Sequence, residues 1–228
     1  IDRTDLLVVL GANPRMSNGS LMTAPDVPGR LDALRARGGR LVVVDPRRSR
    51  TAADADLHLA IRPGTDALLL LAVAWTLFDE GLVRLGRLET HAAGLDEVRQ
   101  AIERFSPDAV APATGIDAGT TRQLARDLAA TERAVVYGRI GTTTVRYGTV
   151  TSWAVDLVNA LSGHLDTEGG AMFARPAHIP ARSGRSPFRT GRWRSRVRDL
   201  PEVLGELPVA TLADEIETPG EGQVRALV

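Results

Sequence analysis

Asp5-Leu-Leu-Val-Val-Leu-Gly-Ala-Asn-Pro14 and Arg40-Leu-Val-Val-Val-Asp-Pro-Arg47 are two short aliphatic runs that stop abruptly in turn residues. Runs of Val and Leu without polar alternation read as strands buried on both faces of a parallel sheet. Between them, Asp26 to Gly39 sets Val27, Leu31 and Leu34 at helical spacing, keeps Arg30, Arg35 and Arg37 outside, and stops at a glycine pair. The three segments make one βαβ unit. Its crossover is right-handed, so both strand ends open on the same carboxyl edge of the sheet, where α/β folds bind ligands. A nucleotide is expected there.

Working outward, a third strand is expected at Leu57-His-Leu-Ala-Ile61, and Arg62-Pro-Gly-Thr-Asp66 then opens a strongly apolar helix to about Asp79. From Gly81 to Thr131 the pattern is helical. Leu95, Val98, Ile102 and Phe105 form one face, Ser106-Pro107-Asp108 starts the next helix, and another runs from Ile116 to Ala129. A fourth strand, Arg133 to Tyr137, enters a glycine-rich loop before a helix from about Val145 to Leu161. The expected fold is therefore α/β: a Rossmann-like parallel sheet with flanking helices plus a second, mostly helical α/β region. Its division is a partial dinucleotide-binding βαβ region (1–62), a second α/β region with the glycine loop (63–174), and an Arg-rich loop with the start of a further strand at Gly222–Val228 (175–228).

Composition narrows the function classes. At 228 residues and 43% hydrophobic, the chain can bury one large or two small cores. The longest apolar run, Ala67 to Leu77, suits a buried helix rather than a membrane span, and no signal peptide is seen. Membrane insertion is not expected. Beginning at Ile1 and ending on half a strand, the chain reads as an internal fragment, which leaves localisation open with the cytoplasm favoured. All 28 basic residues are arginine, a bias that lowers the weight of any single Arg as a phosphate ligand. Zero net charge gives no whole-molecule field toward nucleic acid. The absence of cysteine excludes disulfides, thiolate metal sites, iron–sulfur ligation and a cysteine nucleophile within these 228 residues.

The candidate binding residues each have two readings. Gly11 lets a loop approach a phosphate, with the Asn13 amide and backbone N–H groups as donors, or the same residues make an ordinary strand-to-helix turn. Asp45, at the tip of the second strand, grips a ribose diol or caps the turn from Ser49 to Asp54. Asp66 accepts two hydrogen bonds from the N1–H and N2–H₂ of a guanine, or it or Thr65 is simply a helix N-cap. Gly138 and Gly141 cradle a phosphate or a flat ring, or allow close helix packing. His164 reads as a solvated turn residue, because no second metal-type ligand lies at suitable spacing. Between Arg175 and Pro201, eight arginines with Phe188 and Trp193 suggest a long loop on another domain or an anionic cofactor, more than a single-strand nucleic-acid surface.

The ordered set Gly11-Ala-Asn-Pro14, Val44-Asp-Pro-Arg47, Arg62-Pro-Gly-Thr-Asp66, Tyr137-Gly-Arg-Ile-Gly141 and Leu161-Ser-Gly-His-Leu-Asp-Thr-Glu-Gly-Gly170 closely resembles the central region of molybdopterin oxidoreductases, over about Asp5 to Met172. That family includes formate dehydrogenases, nitrate reductases and dimethyl sulfoxide reductases. The resemblance implies a bis-molybdopterin guanine dinucleotide cofactor with Mo or W in a parent enzyme, and a 4Fe–4S cluster in an N-terminal region outside this chain. It implies that Gly11 and Asn13 approach the pyrophosphate of one dinucleotide, that Asp45 holds its ribose or guanine, that Asp66 pairs with the guanine edge, and that Gly138 to Gly141 lie toward the pterin. Pro14, Arg47 and Gly64 belong to the same motifs and complete the cofactor-binding set. No catalytic residue and no metal ligand is assigned in this chain, which is expected to be inert, or even cofactor-free, by itself. The implied partners are the remaining domains of the same enzyme and an electron-transfer subunit. A molybdenum-free subunit of an NADH:quinone oxidoreductase and a non-catalytic nucleotide-binding module are the alternatives.

Overall fold

The computed structural model describes residues 1–19, 24–173, 190–203 and 205–227. Four strands, β1 (Leu6–Leu10), β2 (Arg40–Val44), β3 (Leu57–Leu59) and β4 (Ala134–Gly138), form one all-parallel sheet in the order β3-β2-β1-β4. Val8 is in register with Val42 on one side and Val136 on the other. All five residues of β1 are buried, as expected for a strand covered on both faces.

The period of two along each strand sorts the core into two layers. Leu6, Val8, Leu10, Val42, Val44 and Val136 face one side, beneath α4 (Asp66–Asp79), α7 (Ala118–Ala130) and α9 (Gly148–Leu161). Leu7, Val9, Leu41 and Val43 face the other, against Val27, Leu31 and Leu34 of α2 (Val27–Ala36). Each such fully buried aliphatic side chain contributes about 1.5–3 kcal/mol. Helix α2 starts where the Asp26 side chain accepts the Gly29 N–H at 3.2 Å, and it ends at Gly38, whose φ of +86° a side chain would oppose. Helices α1 (Pro14–Ser17) and α3 (Arg50–Ala53) are single turns at the carboxyl edge. Helices α5 (Leu95–Ile102) and α6 (Pro107–Thr114) pack with α7 around the apolar α4.

Strand β4 lies at an edge of the sheet, where unpaired backbone groups need partners. The amide of Asn159, on α9, supplies them: its Oδ1 accepts the Val136 N–H and its Nδ2 donates to the Val136 carbonyl, both at 2.9 Å. The side chain takes the place of a neighbouring strand.

Several expectations need correction. A boundary after residue 62 does not separate two bodies, because β4 pairs with β1; the compact units are Ile1–Ala174 and Arg175–Val228. The third strand has three residues, and the helix expected from Val145 begins at Gly148, after a separate turn, α8 (Ile140–Thr143). His164 is 2% exposed, not solvated: after α9 the chain turns at Gly163 (φ +81°) and brings the ring inward, where Nε2 lies 2.9 Å from the Leu128 carbonyl. Burial pushes its pKa below the usual imidazole value.

Residues 174–189, including four of the eight arginines and Phe188, lie outside the described residues. The other four arginines are paired: Arg192 with Glu202, Arg194 with Asp199 at 2.7 Å, Arg196 with Glu215 at 3.1 Å, and Arg198 with Asp214. Glu202 is fully buried and also accepts from the backbone N–H groups of Arg192 and Gly205; the Arg192 guanidinium holds its carboxyl down at about 2. Each of these four arginines is held by a carboxylate of the same unit. The expected terminal strand is not formed: residues 222–227 have no strand pairing, and the Val224 N–H goes to the Glu215 carbonyl after α10 (Leu212–Glu217).

Candidate nucleotide-binding site

Strand order 3-2-1-4 means that the chain, after stepping from β1 to β3, crosses back and adds β4 on the other side of β1. Loops leaving β1 and its neighbours then diverge and leave a crevice at the carboxyl edge. A cleft of about 510 Å³ lies there, lined by Gly11, Ala12, Asn13, Met16 and Ser17 after β1, Asp45, Arg47 and Ser49 after β2, and Arg139, Ile140 and Gly141 after β4. Another groove, of about 460 Å³ beside Trp75 and Glu103, shares no residue with the strand-end loops.

Five of the nine sequence-predicted residues line the cleft: Gly11, Asn13, Asp45, Arg47 and Gly141. The Asn13 Oδ1 accepts from the Thr51 hydroxyl at 2.8 Å and from the Thr51 N–H at 3.3 Å, tying α1 to α3 and leaving Nδ2 without an acceptor among the described residues. Asp45 Oδ1 accepts the Arg47 N–H at 2.8 Å, so the carboxylate does cap its own turn; its other oxygen has no hydrogen bond among the described residues. The helix that follows is capped by Ser49, whose Oγ accepts from Ala52 N. The amides of Ala12, Asn13 and Ile140 also lack acceptors among the described residues. Free N–H groups facing one crevice are anion donors.

The glycines act differently from the phosphate-cradle reading. Gly11 (φ +55°) and Gly141 pack against each other, with the Gly141 N–H donating to the Gly11 carbonyl at 3.0 Å. A Cβ on Gly11 would lie 2.8 Å from Gly141 C and Thr142 N, and one on Gly141 would lie 2.7 Å from Gly11 Cα. Gly138 packs under α9, where a Cβ would sit 3.0 Å from Val155 Cγ2. The space these residues leave is filled by protein.

The remaining three stand apart from the lining. Pro14 is buried in the first turn of α1, and Gly64 is a turn residue (φ +78°) with nothing within 4 Å of the point a Cβ would occupy. Asp66 opens α4 and is 4% exposed. Burial raises its pKa, its own backbone amide opposes the rise, and the negative charge of Asp45 adds to it, so the two carboxylates lie in each other's field. Capping by Thr65 does not account for this motif, since its hydroxyl donates to the Arg62 carbonyl at 2.7 Å.

Sequence reasoning passed over Arg139 and Ser17. Arg139 Nη1 donates to Ser17 Oγ at 2.8 Å, across the cleft from β4 to the first loop. An arginine inside a glycine loop at a strand end was the available signal, discounted because every basic residue here is arginine. Arg15, by contrast, is held by Asp32 at 2.5 Å and Asp54 at 2.6 Å. Among the described residues there is no cluster of three or more His, Asp or Glu that could hold a metal, and no helix is long and apolar enough to cross a membrane.

The chain is similar in sequence and in fold to known proteins. The formate dehydrogenase H of Escherichia coli (strain K12) is 31% identical over 165 residues, which cover 72% of this chain and 22% of the relative. The probable dimethyl sulfoxide reductase chain YnfF of the same organism is 31% identical over 244 aligned residues, covering 95% of this chain and 28% of the relative. Among solved structures, acetylene hydratase from Pelobacter acetylenicus superposes with a TM-score of 0.63 at 28% identity, over 71% of this chain and 22% of its own. The chain thus spans less than a third of the length of these relatives. The family model described as molybdopterin oxidoreductase matches residues 1–219. With its parallel sheet, its strand-end cleft and this match along nearly its whole length, the chain belongs to the molybdopterin oxidoreductase family.

Proposed function

We propose that this chain supplies the binding site for one molybdopterin guanine dinucleotide in a molybdenum- or tungsten-dependent oxidoreductase of the formate dehydrogenase type. The observation that carries the reading is the convergence of three strand-end loops on one cleft, with a second, buried carboxylate beside it. The residues present suit the group. The amides of Ala12, Asn13 and Ile140, without acceptors among the described residues, suit a diphosphate, and the Asp45 oxygen without a hydrogen bond among those residues suits a ribose hydroxyl. Asp66 suits the N1–H and N2–H₂ edge of guanine, and the Gly138 to Gly141 loop is directed to the pterin. When bound, the cofactor supplies two-electron chemistry at its metal; the protein's part is to bind, orient and tune it. The iron–sulfur cluster, the metal's protein ligand and the groups that select substrate belong to polypeptide beyond these residues, with an electron-transfer subunit as partner, so the chain alone is inert. Formate is the proposed substrate of the parent.

Titration calorimetry with GDP and ADP tests the reading. A bidentate base contact discriminates by about 1–3 kcal/mol, so GDP is expected to bind about 5- to 150-fold tighter than ADP. In Asp66→Asn that preference disappears, because the amide presents a donor to the guanine N2–H₂. Equal affinity of the unaltered chain for GDP and ADP refutes the proposal.

A further inference from the structure

We propose that the segment 190–227 of the second unit is a docking element, its apolar exterior covered by an aliphatic surface from elsewhere in a longer oxidoreductase subunit that contains this chain. The proposal draws on the reading of the chain as one part of such a subunit and not on the nucleotide site, so the titration with GDP and ADP neither supports nor sinks it.

The segment is built inside out. Its buried residues, among those described, are Ser195, Glu202, Thr211 and Glu215, all of them polar, and no large apolar side chain there is buried. Trp193 is 45% exposed, Val203 47%, Val209 83%, Ile216 37% and Leu227 66%. Twice the chain turns a carboxylate inward and the next aliphatic residue outward, at Glu202-Val203 and at Glu215-Ile216. A segment that folds for itself does the reverse, because carboxylates are seldom buried and aliphatic side chains gain free energy by leaving water.

What holds the segment is a polar frame. Glu202 takes the Arg192 guanidinium, Glu215 takes Arg196 Nε at 3.1 Å and the Val197 N–H at 2.9 Å, and Ser195 Oγ accepts the Leu200 N–H at 2.9 Å. Buried ion pairs fix geometry but add little net stability, since desolvation of both charges offsets their attraction. A body this small needs apolar burial as well. Its outward aliphatic side chains provide that burial once another surface covers them.

The lining of one groove and the length of the relatives name the occupant. Ile216, Val224 and Leu227 line a groove of about 500 Å³ in which Arg225 is the one charged side chain, so the groove offers apolar contact more than charge. An aliphatic ridge fits it. This chain covers only 22% to 28% of the relatives above, so most of such a subunit is other polypeptide, which can bring that ridge.

The chain has no cysteine, so one introduced thiol reports on one position. Val209→Cys and Ile216→Cys are made separately in the 228-residue chain and in the longer subunit and alkylated with N-ethylmaleimide. The rate is read by mass spectrometry on the tryptic peptide Asp199–Arg225. Both thiols are expected to react fast in the 228-residue chain, at a rate independent of protein concentration. In the longer subunit they are expected to react about 10-fold or more slowly, the population effect of covering one aliphatic side chain. That protection should persist at high salt, which screens exposed ion pairs but not apolar contact. Should Ile216→Cys fail to fold, by its melting curve, Val209→Cys carries the test. Equal rates in the two forms overturn the proposal. So does slow labelling of the 228-residue chain: where it deepens with protein concentration a second copy is the occupant, and where it does not the face is covered from within these residues. Protection lost at high salt overturns the apolar character of the contact.

Discussion

Gly11→Ala and Gly64→Ala are the same chemical change at two left-handed glycines, φ +55° and +78°, and the structure assigns them different costs. An L-residue forced into that region loses about 1–2 kcal/mol, and both variants share this loss. At Gly64 nothing lies within 4 Å of the added Cβ, so the loss ends there. At Gly11 the Cβ meets Gly141 C and Thr142 N at 2.8 Å, and both are backbone atoms that no rotamer change can move aside. The β1 and β4 loops must separate, which adds an overpacking cost of about 1–3 kcal/mol and the Gly141-to-Gly11 hydrogen bond, worth about 0.5–1.5 kcal/mol. Gly11→Ala should therefore destabilise by roughly 3–6 kcal/mol and Gly64→Ala by roughly 1–2 kcal/mol. Equilibrium urea unfolding followed by far-ultraviolet circular dichroism gives both numbers. Equal losses at the two positions would show that the contact between the loops has no energetic weight, and the account of Gly11 as a packing glycine would fail.

Asn159→Ala leaves the buried Val136 N–H and carbonyl unpaired and should cost about 2–4 kcal/mol; urea unfolding reads the loss, and hydrogen exchange at the Val136 amide should speed up well beyond that of Val8 in β1. His164 has a depressed folded pKa, so its contribution to stability is present above the unfolded value near 6.5 and is lost as pH falls through the folded value. The melting temperature should drop as the pH falls below about 6.5, and His164→Gln should flatten that slope. Asp66 has the opposite sign: its folded pKa is raised above 3.8, so burying the ionised form costs stability as pH rises through the folded value. Asp66→Asn should raise the melting temperature at pH 7 while abolishing GDP preference, and a lower melting temperature there would contradict this assignment.

What the sequence determined by itself was whatever repeats over short range. The apolar runs at Leu6–Leu10 and Arg40–Val44, the helical spacing of Val27, Leu31 and Leu34, and the turn residues after each strand were sufficient to place a βαβ unit and its binding edge. Asn13, Asp45 and Arg47 could be named from there, because a parallel βαβ unit puts both loop tips on one side whatever surrounds it. Only the tertiary structure decided what each of these residues does. Gly11 and Gly141 are far apart in sequence, and either fits a phosphate loop until the pairing of β4 with β1 presses one onto the other. His164 looks like a surface turn until Leu128 offers it a carbonyl, and Asn159 looks like an ordinary helix residue until β4 leaves an open edge beside it. Arg139 gained its place only when Ser17 met it across the cleft. Period and turn chemistry are written locally along a chain, but burial and hydrogen-bond partnership between distant segments exist only once the sheet has assembled.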